Sequence, residues 1–122
     1  MPVSKINLTE KFAQFSEQWT PKLVGKINNQ EMKIAKVEGE FVWHHHEHTD
    51  ELFWVVKGTL LMKFRDGDVE INEGEIIVVP AGVEHLPVAE EECYILMIEG
   101  EGTLNTGNVT DSERTVADLE QL

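Results

Sequence analysis

Residues 44–51 read His-His-His-Glu-His-Thr-Asp-Glu and hold four of the chain's five histidines. The residues from Glu40 to His46 predict a β-strand, in which successive side chains point to opposite faces of the sheet. On such a strand His44 and His46 share one face, while His45 points to the other. Two neighbouring imidazoles on one face form a ready-made pair of metal ligands, so this stretch predicts a metal site.

Two further ligand candidates, Glu51 and His85, stand where strands are predicted to begin. Glu51 opens the strand that follows the histidine cluster after a short turn, and it can supply a carboxylate. His85 follows a turn that contains Pro80, which suits a strand end, and Gly82, which permits a tight bend. That bend returns the chain to the sheet with His85 at the start of a strand, where it supplies a fourth ligand.

This donor set indicates the kind of cofactor. Three imidazoles and one carboxylate suit a divalent transition metal (Mn, Fe, Co, Ni, Cu or Zn) better than Ca or Mg. Four protein ligands leave one or two positions on an octahedral ion for water or substrate, as Lewis-acid or oxygen chemistry requires. The sequence therefore predicts one metal ion, of open identity, and a small-molecule ligand or substrate as partner.

His48 leaves alternatives open. A ligand set of His46, His48 and Glu51 competes with the first one. Alternatively, His48 lies at the mouth of the site as a substrate contact or proton shuttle, which makes it the one catalytic candidate, or it is a solvated loop residue. A His-rich surface tract that binds metal adventitiously would explain the cluster at 44–48 but not the separate turn before His85.

Short strands separated by turns occupy the chain from Lys22 onward, and about eight of them at this spacing favour a sandwich or barrel. A short helix is predicted near Asn7, with Asn7 or Thr9 as its cap, and Phe12, Phe15 and Trp19 follow at helical spacing. The predicted strands are Lys22–Ile27, Glu31–Val37, Glu40–His46, Glu51–Lys57, Thr59–Arg65, Val69–Ile71, Glu75–Val79 and Glu92–Glu99.

Two segments of the chain resemble the paired motifs of the cupin superfamily. The first is His44-x-His46, four residues, Glu51, six residues, Gly58; the second is Gly74, five residues, Pro80-x-Gly82, two residues, His85. There are two departures from the family pattern. Gly39 precedes the first histidine by one residue fewer than usual, and Ala89 stands where the second motif usually ends in Asn.

The resemblance implies an all-β fold, a double-stranded β-helix (jelly-roll) barrel of six to eight strands with a metal ion inside it. It also implies that His44, His46, Glu51 and His85 are the ligands. We expect one domain over residues 1–122, with the barrel at about 22–100 and a polar C-terminal arm at 101–122. That arm is predicted to form either a short helix or an edge strand.

Charge and composition disfavour nucleic acid and membranes as partners. The chain has 122 residues, with 23 acidic residues against 10 Lys and Arg, and its formal net charge of −13 disfavours nucleic acid and anionic membranes. No apolar run is long enough to span a membrane and no secretory signal is visible, so a cytoplasmic location is expected. Cys93, the single cysteine, lies in an apolar run and is predicted to be buried and unreactive.

Three functions are consistent with the sequence. The first is a metal-dependent enzyme acting on a small organic molecule, as an oxygenase, isomerase, decarboxylase or lyase. The second is a non-catalytic module that binds metal or a small ligand, as a sensor or accessory protein. The third is activity like that of mannose-6-phosphate isomerase, which the absence of basic residues placed for a sugar phosphate disfavours.

The sequence also predicts a homodimer. This follows from the outward-facing residues Trp43, Leu52 and Trp54, together with the resemblance.

Overall fold

The computed structural model describes residues 3–122, and strands make up most of its regular structure. The all-β class with a short N-terminal helix is confirmed. In chain order the elements are α1 Leu8–Phe12, β1 Lys22–Ile27, β2 Gln30–Glu40, β3 Glu51–Lys57, β4 Thr59–Phe64, β5 Gly67–Asn72, β6 Ile76–Val79, β7 His85–Gly100 and β8 Glu120–Gln121.

Strand β7 organises the barrel because it pairs with three other strands. It runs antiparallel to β2 along most of its length, to β4 near its start and to β3 near its end. A single long strand shared in this way bends the sheet around an interior. The sequence predicted a strand start at His85 and a strand over Glu92–Glu99; in the structure these are one continuous strand, whose residues 85–88 pair with β4.

The predicted strand Glu40–His46 is wrong as a continuous element. Strand β2 ends at Glu40, and His44 then forms an isolated bridge with His85. The amide of Phe41 donates to the carbonyl of Pro87, and the amide of His44 donates to that of His85. From Phe41 to His44 the chain advances by three residues, whereas from Pro87 back to His85 it advances by only two. This extra residue breaks the regular pairing.

The N-terminal helix is confirmed with Asn7 as its cap, since Asn7 Oδ1 accepts a hydrogen bond from the amide of Glu10 at 3.0 Å. The helix ends at Phe12, so the helical spacing of Phe15 and Trp19 does not reflect a longer helix. Phe12 and Phe15 pack on the outside of the barrel, whereas Trp19 joins the interior. Within residues 3–122 no helix is long and apolar enough to cross a membrane.

The barrel interior is filled by inward-facing side chains of β2, β3, β4 and β7. Cys93 is fully buried among them, as predicted, and burial raises the pKa of its thiol to about 11. At the C-terminal arm the edge-strand alternative is confirmed, because β8 pairs in parallel with the start of β1. Lys22 on β1 also bonds to the carboxylate of Glu120 at 2.7 Å.

The three apolar residues that were predicted to face outward, Trp43, Leu52 and Trp54, differ in how they are covered. The guanidinium carbon of Arg65 lies 3.8 Å from the ring centroid of Trp43, and Leu52 is half-buried. Trp54 is 39% exposed beside Ile76, its register partner on β6, which is 60% exposed. An uncovered apolar face therefore remains on β3 and β6, and the homodimer stays a prediction.

Candidate metal centre

The four predicted ligand residues lie together inside the barrel, and each is at most 5% exposed: His44, His46, Glu51 and His85. One ligand atom from each residue lies within 4.8 Å of the corresponding atoms of the other three. Glu51 opens β3 and His85 opens β7, as the sequence predicts. The four positions thus come from three separate segments that meet at one point.

Backbone hydrogen bonds hold these segments together. His44 and His85 exchange two of them, at 3.1 and 2.9 Å, and the carbonyl of His46 accepts one from the amide of Gly82 at 2.8 Å. Glu51 lies beside Val79 in the pairing of β3 with β6. The turn that contains Gly82 (φ +84°) is therefore bonded to residues 44–46, here called the histidine segment, and leads directly into His85.

Two of the imidazoles are held in a metal-binding orientation. Nδ1 of His44 lies 2.9 Å from the carbonyl of Val42, and Nδ1 of His85 lies 2.9 Å from that of Val83. A carbonyl only accepts, so each Nδ1 carries the proton and donates it. The Nε2 lone pair of each ring is left for a metal, which is the usual arrangement of a ligating histidine.

Several buried polar atoms at this point have no hydrogen-bond partner within residues 3–122: His46 Nε2, His85 Nε2 and Glu51 Oε1. Glu51 Oε1 lies 3.0 Å from His46 Nε2 and 3.4 Å from His85 Nε2. Burying such atoms without partners is costly. A divalent cation would satisfy all of them at once, so the residues present fit a transition-metal ion.

The protonation states suit metal binding. Burial, and then the neighbouring His85, lower the pKa of His44 to about 4, so its imidazole is neutral at neutral pH. Burial alone would raise the pKa of Glu51. Its interactions with His46 and His85 outweigh this effect and hold the pKa well below its ordinary value. Neutral imidazoles and an ionised carboxylate are the forms that bind metal.

A buried pair, Lys33 and Glu99, lies next to the four residues and was missed at the sequence level. Lys33 Nζ lies 2.9 Å from Glu99 Oε1 and 3.2 Å from the carbonyl of Thr103, and both side chains are almost fully buried. Glu99 Oε2 lies 3.9 Å from His46 Nε2 and has no hydrogen-bond partner in the described part of the chain. Burial, and then the charge of Glu51, raise the pKa of Glu99 to about 9.

The sequence did carry a signal for this pair. Lys33 shares the inward face of β2 with Ala35 and Val37, and Glu99 shares that of β7 with Ile95 and Met97. A charged residue on an otherwise apolar face is the feature that strand parity could have identified.

His48 does not join the cluster. Its side chain is 94% exposed and its nearest charged neighbour is Glu47, with 3.8 Å between His48 Nε2 and the carboxylate. The ligand set of His46, His48 and Glu51 is therefore wrong for this structure. His45 is half-buried, its Nε2 lies 3.6 Å from the carboxylate of Glu47, and it is not one of the four clustered residues, as predicted.

The space beside the four residues is narrow. The cavity leaves about 30 Å³, room for about two water molecules. Trp19 and Phe41 stack over it with ring centroids 4.9 Å apart, and the edge of Phe41 meets His44. Phe53 closes another side, and Lys33 and Glu99 are polar groups of the lining. The interior thus combines aromatic walls with two polar groups aimed at the centre.

A small antiparallel barrel with three imidazoles and a carboxylate converging in its interior defines a class of β-barrel protein built to hold a metal ion. The Cupin_2 family model, described as a cupin domain, matches residues 30–99, which include all four residues of the centre. This match covers more than half of the chain, and the chain belongs to the cupin domain family.

Individual relatives agree with this assignment. A solved cupin-2 domain containing protein from Shewanella frigidimarina is 48% identical, with a TM-score of 0.78 over 79% of this chain and 94% of that one. The uncharacterized protein YdbB of Bacillus subtilis is 34% identical over 77 residues, 62% of each chain. The 3-hydroxyanthranilate 3,4-dioxygenase of Xenopus laevis is 29% identical over 101 residues, 77% of this chain but 36% of the dioxygenase. The chain thus spans less than two thirds of both curated relatives.

Proposed function

We propose that this cupin binds one divalent transition-metal ion through His44, His46, Glu51 and His85 and acts on a small organic molecule as a metal-dependent enzyme. The observation that supports this best is the convergence of unpartnered buried atoms. His46 Nε2, His85 Nε2 and Glu51 Oε1 point at one another without hydrogen bonds inside the described chain. When bound, the metal would supply Lewis-acid or oxygen chemistry at its open positions.

Glu99 is the proposed hydrogen-bond donor to the bound molecule. Its Oε1 accepts a hydrogen bond from Lys33, and its pKa of about 9 leaves the carboxyl protonated at neutral pH. Oε2, which has no partner within residues 3–122, can then donate its proton to an oxygen atom of a molecule at the centre. Phe41 and Trp19 restrict water around this position, which strengthens such a bond. The chain's own contribution is therefore to orient the ligand and to hold a proton at Glu99 Oε2.

The size of the cavity limits the substrate. Pockets for drug-sized ligands measure about 300–1,000 Å³, whereas about 30 Å³ is open here. A molecule with only a few heavy atoms inside the barrel fits without movement of Trp19 or Phe41. The dioxygenase relatives make oxygen consumption the first reaction to test. The compound in their name, 3-hydroxyanthranilate, is too large for the open volume of about 30 Å³.

A non-catalytic metal-binding or sensor module is the second candidate, and the same narrow cavity favours it. The two candidates differ in turnover. Untagged protein is analysed for bound metal, and oxygen uptake and conversion of small hydroxy and oxo acids are then measured. Turnover that His85→Ala abolishes in a folded protein supports the enzyme. One ion per chain without turnover supports the module, and chains that bind none of the six metals contradict both.

A further inference from the structure

The histidine segment has a neighbour on each side, and the second neighbour is the C-terminal arm. His44 pairs with His85 on one side. On the other side the peptide of His45 is bonded twice by Asn108: its amide donates to Asn108 Oδ1 at 2.8 Å, and its carbonyl accepts from the Asn108 amide at 3.1 Å. His45 is the residue between two candidate ligands, so Asn108 fixes the backbone from which both project.

Gly107 brings the arm closer than any other residue type would allow. A Cβ at this position would lie 2.1 Å from the carbonyl oxygen of His45 and 3.1 Å from Nδ1 of His46. The φ of Gly107 is also positive, at +55°, which favours glycine. The arm therefore packs directly on the peptide of His45 and against the imidazole of His46.

The arm is itself held in shape where it makes this contact. Thr106 is fully buried, its hydroxyl donates to the carbonyl of Val109, and the hydroxyl of Thr115 lies 2.7 Å from it. The amide of Gly107 donates to the carbonyl of Leu104, and that of Val109 donates to the carbonyl of Thr106. This folded turn presents Asn108 to the histidine segment in one conformation.

His46 is the ligand that needs such support. The Nδ1 atoms of His44 and His85 lie within hydrogen-bond distance of nearby carbonyls, whereas Nδ1 of His46 has no partner within residues 3–122. The orientation of His46 therefore depends on its backbone and on what packs against its ring. Gly107 packs against the ring and Asn108 holds the preceding peptide, while the amide of Gly82 holds the carbonyl of His46.

We propose that residues 106–109, here called the C-terminal clasp, position the histidine segment for metal binding, with Asn108 as the positioning residue. The clasp lies outside the residues that match the family model, 30–99. This inference rests on the proposed metal site. It extends that site to the arm, so that ordering of the arm and metal affinity are coupled.

The test measures cobalt(II) affinity of the untagged protein by competition with a chelator, together with the visible spectrum of the cobalt form. Asn108→Ala removes the acceptor for the His45 amide, and we expect affinity to fall about three- to tenfold, with a changed spectrum. Asn108→Asp keeps an acceptor oxygen at an exposed position and should retain the affinity. Asn7→Ala removes the cap of the distant helix, so it lowers stability without touching the centre.

Equal affinity and spectrum in Asn108→Ala and the wild type would overturn the proposal, as would an equal loss in Asn7→Ala. A wild type that binds no cobalt would instead remove the metal site on which it rests. If Asn108→Ala does not fold, hydrogen exchange of the wild type decides. Cobalt should slow exchange of the His45 and Asn108 amides, and unchanged exchange at both would overturn the clasp.

Discussion

His44 and His85 form a two-residue bridge: their peptides exchange hydrogen bonds of 3.1 and 2.9 Å, and their ring centroids lie 4.2 Å apart. This bridge joins the irregular segment after β2 to the first residue of β7. Two candidate ligands are therefore placed by backbone pairing, which side-chain rotation alone cannot undo. The positions of these two ligands are therefore set by backbone hydrogen bonds rather than by side-chain contacts alone.

The alternation of side chains along the histidine segment gives the first prediction. His44→Ala and His46→Ala each remove a candidate ligand and should lower metal affinity at least about tenfold. His45→Ala is the matched control, because its side chain is not part of the cluster and its backbone bonds to Asn108 persist. Metal content of untagged protein, measured by elemental analysis, checks this. Equal losses in all three variants would contradict the assignment.

Glu51 is the anionic member of the proposed ligand set. Glu51→Gln keeps the shape of the side chain but removes its charge, so zinc affinity should fall at least about tenfold. Glu47→Gln makes the same change on an exposed neighbouring side chain and should leave the affinity unchanged. Competition with a chelator measures both variants. A zinc affinity that survives Glu51→Gln would show that this carboxylate is not a ligand.

The ligand residues could be predicted from the sequence because their signals are local. His44 and His46 follow from alternation along a short extended segment, and His85 follows from a Pro and Gly turn. Lys33 and Glu99 are far apart in the chain, and they meet only because β2 and β7 run antiparallel with Glu31 opposite Glu99. Such a register depends on long-range pairing that no single segment specifies.

The bulge after β2 was missed for a similar reason. Phe41 and Trp43 are strand formers, and nothing in their own sequence indicates the extra residue opposite β7. The sequence around Asn108 also gives no indication of its contact, because asparagine is common in polar surface turns. Its contact with His45 appears only when the arm folds back on the barrel.

The buried pair inside the barrel gives a stability prediction. Lys33→Met leaves Glu99 buried without its donor, and the free energy of unfolding should fall by about 3 kcal/mol. The double variant Lys33→Met/Glu99→Leu removes both polar groups and should recover part of this loss. Urea unfolding of metal-free protein gives the values. The single variant Glu99→Leu is measured as well. A double variant destabilised by the sum of the two single changes, or by more, would contradict a direct interaction between the side chains.

The uncovered face on β3 and β6 is where we predict that a second copy packs. Trp54 and Ile76 are register partners, and Val78 on β6 is 53% exposed as well. A twofold dimer repeats the same patch on both copies, so one substitution acts twice. Ile76→Lys should therefore shift the mass in light scattering from twice 13.9 kDa to the monomer value. Ile27→Lys, on the separate strand β1, changes an apolar residue of similar exposure (50% against 60%) and should leave the dimer intact. A wild type that is monomeric at all concentrations, or a loss of the dimer only in Ile27→Lys, would place the interface elsewhere or remove it.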